Sequence, residues 1–204
     1  MLDELKIRQD LEQLATTDGA IAKALGDYGY PAPRIRSHGF ESFASIVIGQ
    51  QVSVHAAAAI EQRFWDTLPE ASAAGVLAVS AEQLKKAGLS QRKMDYIQSL
   101  ARLIVDGEFD PQSLTTMSDQ DAIDAITHLR GFGVWSAKIY LMFSLQRCDV
   151  FPEQDLALLK GLQALYGLSD MPTPAQGLHK TLPWSPYRSA GSLFLWHYYH
   201  QITR

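Results

Sequence analysis

The residues best placed to do chemistry are two glycines flanking one apolar residue, Gly131-Phe132-Gly133, and an aspartate further along, Asp155. Glycine accepts positive φ and lets another molecule approach the backbone closely. If Val134-Trp135-Ser136-Ala137 opens a helix, its first N–H groups lack intrahelical partners and offer a seat for a phosphate. The plainer reading is a tight helix–helix turn with Phe132 buried. Asp155 follows Asp149-Val150-Phe151-Pro152-Glu153-Gln154. Pro152 breaks the chain and leaves Asp155 to start the next helix. An aspartate there is an N-cap by default. A fixed carboxylate can also stabilise a cation that develops during a reaction.

Helices must position these groups. Ile97, Leu100, Ala101, Ile104 and Val105 keep helical spacing, and Gly107 ends that run. Ser80 with Gln83 reads as a capping box, with Gly88 closing a short helix. Ser118 with Asp121 predicts a helix running to about His128, and Thr173-Pro174 with Gln176 predicts another start. Period-2 alternation is almost absent. The pattern predicts an all-α chain of roughly ten short helices, with a loop at Pro31-Ala32-Pro33.

Composition narrows the function classes. The 204 residues include a single cysteine, Cys148, which excludes a disulfide framework, a cysteine-ligated zinc site or a four-cysteine iron–sulfur cluster within this chain. The charged start, Met1-Leu2-Asp3-Glu4-Leu5-Lys6, lacks an apolar signal core, and no apolar stretch is long enough for a bilayer. The expectation is a cytoplasmic protein with no membrane contact. The net charge of −4 argues against affinity built on broad phosphate neutralisation. A few oriented backbone N–H groups escape that objection.

Four blocks together resemble the helix-hairpin-helix DNA glycosylase superfamily, and within it the DNA-3-methyladenine glycosylase II branch. They are Gly49-Gln50-Gln51-Val52-Ser53 with Ala56-Ala57; Gly88-Leu89-Ser90 with Arg92-Lys93 and Tyr96-Ile97; the hairpin through Asp155; and Trp184-Ser185-Pro186-Tyr187-Arg188-Ser189 leading to Leu195-Trp196. The resemblance spans about Phe40 to Trp196. It implies an all-α fold of two helical subdomains flanking a cleft, interleaved within one domain over 1–204, with the hairpin at about 119–145. The chain matches the compact form, without the extra N-terminal α/β domain of larger members.

The resemblance also implies a reaction and a set of residues. The expected activity is monofunctional hydrolysis of the N-glycosidic bond of alkylated purines, of the 3-methyladenine and 7-methylguanine type, flipped out of double-stranded DNA in base excision repair. Asp155 takes the catalytic position, stabilising the cationic sugar and orienting a water. Trp135 and Trp196 line the base pocket, with core tryptophans as the plain alternative. Ile139 stands where a branch of the family has tyrosine, and Tyr140 compensates only if its helix rotates slightly. Gln50 and Gln51 match the loop that enters the minor groove; Gln51 is favoured as the wedge, and a polar pair capping the next helix is the alternative. Gly131 and Gly133 present backbone to phosphate, and Lys138 is either a phosphate contact or a solvated side chain. The carbonyls of Thr127, Leu129 and Phe132 match those that hold a structural Na+ or K+; no other cofactor is expected. Arg130 replaces the usual hairpin proline. Trp135 occupies the Schiff-base lysine position of bifunctional relatives, which argues against a lyase step. A glycosylase/lyase for oxidised bases and a non-catalytic DNA-binding module are the rivals. A monomer is expected.

Overall fold

The computed structural model describes residues 2–203. The chain forms α1 (Glu4–Thr17) and α2 (Gly19–Tyr28), then α3 (Phe40–Gly49), α4 (Val54–Thr67), α5 (Ala73–Leu77), α6 (Ala81–Lys86) and α7 (Gln91–Val105). It continues through α8 (Asp119–Thr127), α9 (Val134–Phe143), α10 (Leu156–Tyr166), α11 (Pro174–Lys180) and α12 (Arg188–Ile202), with two short 3-10 turns. There is no strand among the described residues, as the near absence of period-2 alternation predicts. No described helix is long and apolar enough to cross a membrane.

The helix starts follow from local chemistry. Ser80 and Gln83 form a reciprocal capping box on α6, and Thr173 and Gln176 do the same on α11, where Pro174 occupies the first turn. Ser118 accepts from the Asp121 N–H to open α8. Each cap satisfies a backbone donor that would otherwise be orphaned, a stabilisation of about 1 kcal/mol. α7 ends at Val105, and Gly107 then takes φ +75°.

The chain divides into two compact units. One comprises residues up to Ile35 together with those from Leu141 onward; the other runs from Arg36 to Tyr140. In the first unit, α10 packs chiefly on α12, and α1 packs on α2. Its core includes Ile7, Leu11, Ile21, Phe151, Leu158 and Phe194, all nearly fully buried. Asp18 caps α2 through Oδ1, while its Oδ2 accepts from the Tyr166 hydroxyl and from Trp184 Nε1. In the second unit, α7 packs on α5 and α3 around Phe43, Val47, Ile97 and Ile126.

Candidate functional site

The hairpin lies in the second unit. α8 ends at Thr127, and α9 begins at Val134. Between them Phe132 donates its N–H to the Leu129 carbonyl at 3.1 Å. Leu129 and Phe132 are both buried, and the Phe132 ring meets Phe43 edge-on at 5.4 Å. These two side chains pin the turn from the inside. Gly131 has φ +94°, and a Cβ there would fall 2.3 Å from the Tyr96 ring. Both the backbone conformation and the close approach therefore demand glycine. Gly133 is exposed, has no positive φ, and a Cβ there would meet nothing within 4 Å. It leads into the first turn of α9, whose N–H groups have no partner inside the helix. Lys138 is half-buried on the same helix. Of the carbonyls matched to a cation, that of Leu129 already accepts one N–H, so its second lone pair is what an ion would take. Thr127 is half-buried at the end of α8.

The two glutamines separate into different roles. Gln50 donates from Nε2 to the Gly131 carbonyl at 3.0 Å and to Ser136 Oγ at 3.3 Å. Its amide nitrogen is bonded inside the protein, to the hairpin and to α9. Gln51 is exposed at φ +56°. Neither glutamine caps α4: Ser53 does so, accepting from the Ala56 N–H at 3.2 Å. Lys93 Nζ donates to the Ile48 carbonyl at 2.7 Å near the end of α3, and burial lowers its pKa.

Two of the expected pocket residues lie in the core. Tyr140 has no exposed surface, stacks on Phe43 at 4.0 Å, accepts from the Gly39 N–H at 2.9 Å and bonds His38 Nδ1 at 2.8 Å. Burial raises its pKa well above the usual phenol value. Tyr140 therefore does not compensate for Ile139 in a pocket, because its face of α9 points into the hydrophobic interior. Ile139 is also buried, with only 4% exposed. Trp135, in the first turn of α9, is half-buried.

The carboxylate lies in the first unit. Val150 and Phe151 are buried, and the Val150 N–H donates to Ser189 Oγ at 3.0 Å, which fixes the segment leading into the turn. The Asp155 N–H then bonds the Pro152 carbonyl at 2.9 Å, and α10 begins one residue later. Asp155 Oδ1 accepts from the N–H groups of Ala157 at 2.9 Å and Leu158 at 3.1 Å. It accepts a third bond from Trp196 Nε1 at 3.1 Å. Gly161 permits that third contact, because a Cβ there would come 3.2 Å from the Leu195 carbonyl. α10 and α12 thus approach closely, and Trp196 follows Leu195 directly. Trp196 is half-buried and tilted against Phe143 at 5.7 Å.

Sequence reasoning missed Arg34. Its guanidinium lies 5.6 Å from the centre of the Trp196 ring. Desolvation lowers its pKa, and the Asp155 charge opposes that shift. The only signal in the sequence is its place beside Pro33, which marks a loop and nothing more. Asp149, earlier in the same segment, is a carboxylate of another kind. Arg188 grips both its oxygens, at 2.7 and 2.8 Å, and Ser185 donates at 2.7 Å. Its charge is spent on a structural pair that holds the start of α12.

The all-helical fold, the hairpin and the capped aspartate define a helix-hairpin-helix repair protein. The family model described as the HhH-GPD superfamily of base excision DNA repair proteins matches residues 44–186, and the chain belongs to that superfamily. It is 28% identical over 184 residues to DNA-3-methyladenine glycosylase 1 of Schizosaccharomyces pombe, covering 86% of this chain and 79% of that protein. It is 30% identical over 198 residues to the DNA-3-methyladenine glycosylase of Saccharomyces cerevisiae, covering 77% of this chain and 65% of that one. The solved structure of the Schizosaccharomyces pombe 3-methyladenine DNA glycosylase in complex with abasic DNA superposes with a TM-score of 0.85 at 26% identity, over 92% of this chain and 95% of that chain.

Proposed function

We propose that the protein is a monofunctional DNA glycosylase that hydrolyses the N-glycosidic bond of alkylated purines in duplex DNA and leaves an intact abasic site. The observation that carries this reading is the convergence of three N–H donors on Asp155 Oδ1 at the start of α10. Three donors on one oxygen hold the carboxylate in a single orientation.

A target base must leave the stack before its sugar can be reached. The hairpin grips phosphate through backbone N–H groups, with Gly133 and the first turn of α9 as the contact surface and Lys138 as an added charge. Gln51 fills the space that the nucleotide vacates. A monovalent cation held by the carbonyls of Thr127, Leu129 and Phe132 would add positive charge beside that phosphate. As the bond between C1′ and the base nitrogen lengthens, the base takes the bonding electrons and the sugar becomes cationic. Asp155 stabilises that cation. A water then bonds to C1′, and its proton passes to Asp155 and on to solvent. A purine alkylated at a ring nitrogen starts with a positive charge and leaves neutral, so it needs little help from an acid. The Trp196 ring beside the carboxylate already carries the Arg34 guanidinium at 5.6 Å, and a cationic base would stack there by displacing it.

Position 135 carries tryptophan, which has no amine for a Schiff base. The test is incubation with methylated duplex DNA. Chromatography should show free 3-methyladenine or 7-methylguanine, the strand should stay uncut, and borohydride should trap no protein–DNA adduct. No released base would overturn the reading. A trapped adduct would overturn its monofunctional part, with Lys138 the first amine to replace.

A further inference from the structure

A non-glycine residue at positive φ persists only where its surroundings hold it, since that conformation costs about 1–3 kcal/mol. Gln51 is such a residue, exposed and at φ +56°. The backbone on either side of it is clamped. Before it, Lys93 Nζ holds the Ile48 carbonyl at 2.7 Å and Gln50 reaches the hairpin. After it, Ser53 fixes the start of α4. The Gln50 bond is specific in direction, because the Gly131 carbonyl can only accept and the side-chain atom on it must be the amide nitrogen. The Gly131 carbonyl shares a peptide plane with the Phe132 N–H, which closes the hairpin turn on Leu129. One amide therefore joins the loop that bears Gln51 to the peptide that shapes the phosphate-binding turn.

We infer that Gln50 is a positioning residue that sets the Gln51 loop and the hairpin in one fixed register, so that gripping phosphate and filling the vacated stack occur as a single event. This rests on the function proposed above. A loop free to move relative to the hairpin would have to be ordered each time DNA bound, and that entropy would be subtracted from flipping. Gln50 touches neither base nor sugar; it acts through Gln51.

The test is a double-mutant cycle with Gln50→Leu, Gln51→Ala and the pair together, on a duplex with one 7-methylguanine. Each single variant should lower excision at subsaturating enzyme about tenfold, the scale of one or two lost hydrogen bonds. The pair should be no slower than Gln51→Ala alone, since Gln50 has nothing to position once Gln51 is gone. A 2-aminopurine beside an abasic site should brighten when wild-type enzyme binds, and much less with either single variant. Losses that multiply in the pair, or a Gln50→Leu variant with wild-type excision and fluorescence, would overturn the inference. If Gln50→Leu does not fold, Gln50→Asn, one methylene too short to reach Gly131, replaces it and should behave the same way. If the wild type releases no base at all, the proposed function fails, and the fluorescence arm still decides whether Gln50 positions the loop.

Discussion

Replacing Asp155 with Asn separates the two jobs an aspartate can do at a helix start. Asn keeps the oxygen that accepts from Ala157, Leu158 and Trp196. Asn and Asp are nearly equal as N-caps. What is lost is the charge at the helix N-terminus, about 0.3–1 kcal/mol of stability, or a fall in melting temperature of about 1–4 °C for a chain of this size. The effect on chemistry is larger. A carboxylate about 4 Å from a cationic sugar, at an effective dielectric of about 20, contributes about 4 kcal/mol. The half-buried setting of Trp196 supports that dielectric rather than the value for a dry interior. Removing the charge should slow base release by about two to three orders of magnitude, in line with the loss of a preorganised electrostatic group elsewhere. The assay is single-turnover excision with enzyme in excess, which removes product release from the rate. Affinity for an abasic duplex should fall far less, because the hairpin is intact. Near wild-type excision by the Asn variant would show that Asp155 is only a cap. A variant that fails to fold would refute the claim that Asn preserves the three bonds.

Four further substitutions have outcomes set by the structure. Gly133→Ala should leave the melting temperature unchanged and weaken duplex binding, whereas Gly131→Ala should lose stability outright, because its Cβ meets Tyr96 at 2.3 Å and its φ is +94°; equal melting temperatures would show that the turn relaxes freely. Tyr140→Phe strips the Gly39 N–H of its acceptor and should cost about 1–3 kcal/mol of stability with excision by the folded protein unchanged; slowed excision at an unchanged melting temperature would return Tyr140 to the pocket. Asp149 is pulled in opposite directions, burial raising its pKa and the bonds from Arg188 and Ser185 lowering it by more, so its folded value lies below its usual one. The stability it contributes is present above the unfolded value of about 3.9 and is lost as pH falls through the folded value; Asp149→Asn should therefore destabilise at neutral pH and match the wild type in strong acid, as followed by thermal melts across pH.

What the sequence discloses is what a few consecutive residues decide. The box at Ser80, the helix start at Thr173, the stop at Gly107 and the helix opened by Asp155 all close within about four residues, and all stand as the sequence predicts. Gln50 and Gly131 are 81 positions apart, and Asp155 and Trp196 are 41 apart. No local rule carries that information. α9 is opaque for a different reason. Val134-Trp135-Ser136-Ala137-Lys138-Ile139-Tyr140-Leu141-Met142-Phe143 is apolar on nearly every side, so its periodicity does not say which face is buried. The expectation for Tyr140 fails on that account. Arg34 escapes notice because a lone arginine in a proline-marked loop resembles any solvated charge until Trp196 is seen beneath it.

A net charge of −4 fits poorly with DNA binding only if charge is counted over the whole chain. Residues 42–60, which hold the Gln51 loop, contain no Asp, Glu, Lys or Arg, and residues 125–140, which hold the hairpin turn and most of α9, contain Arg130 and Lys138 and no carboxylate. Arg130 lies over the Tyr96 ring at 5.9 Å, beside the same Gly131 that Gln50 holds. α8 carries three carboxylates, Asp119 and Asp121 in its first turn and Asp124 three residues before its end at Thr127. A phosphate over the hairpin turn therefore meets backbone dipoles and a little positive charge from Arg130 and Lys138, with Asp124 the nearest carboxylate in sequence. Within a Debye length of about 8 Å at physiological salt, that local balance decides the encounter, and the negative total elsewhere is largely screened.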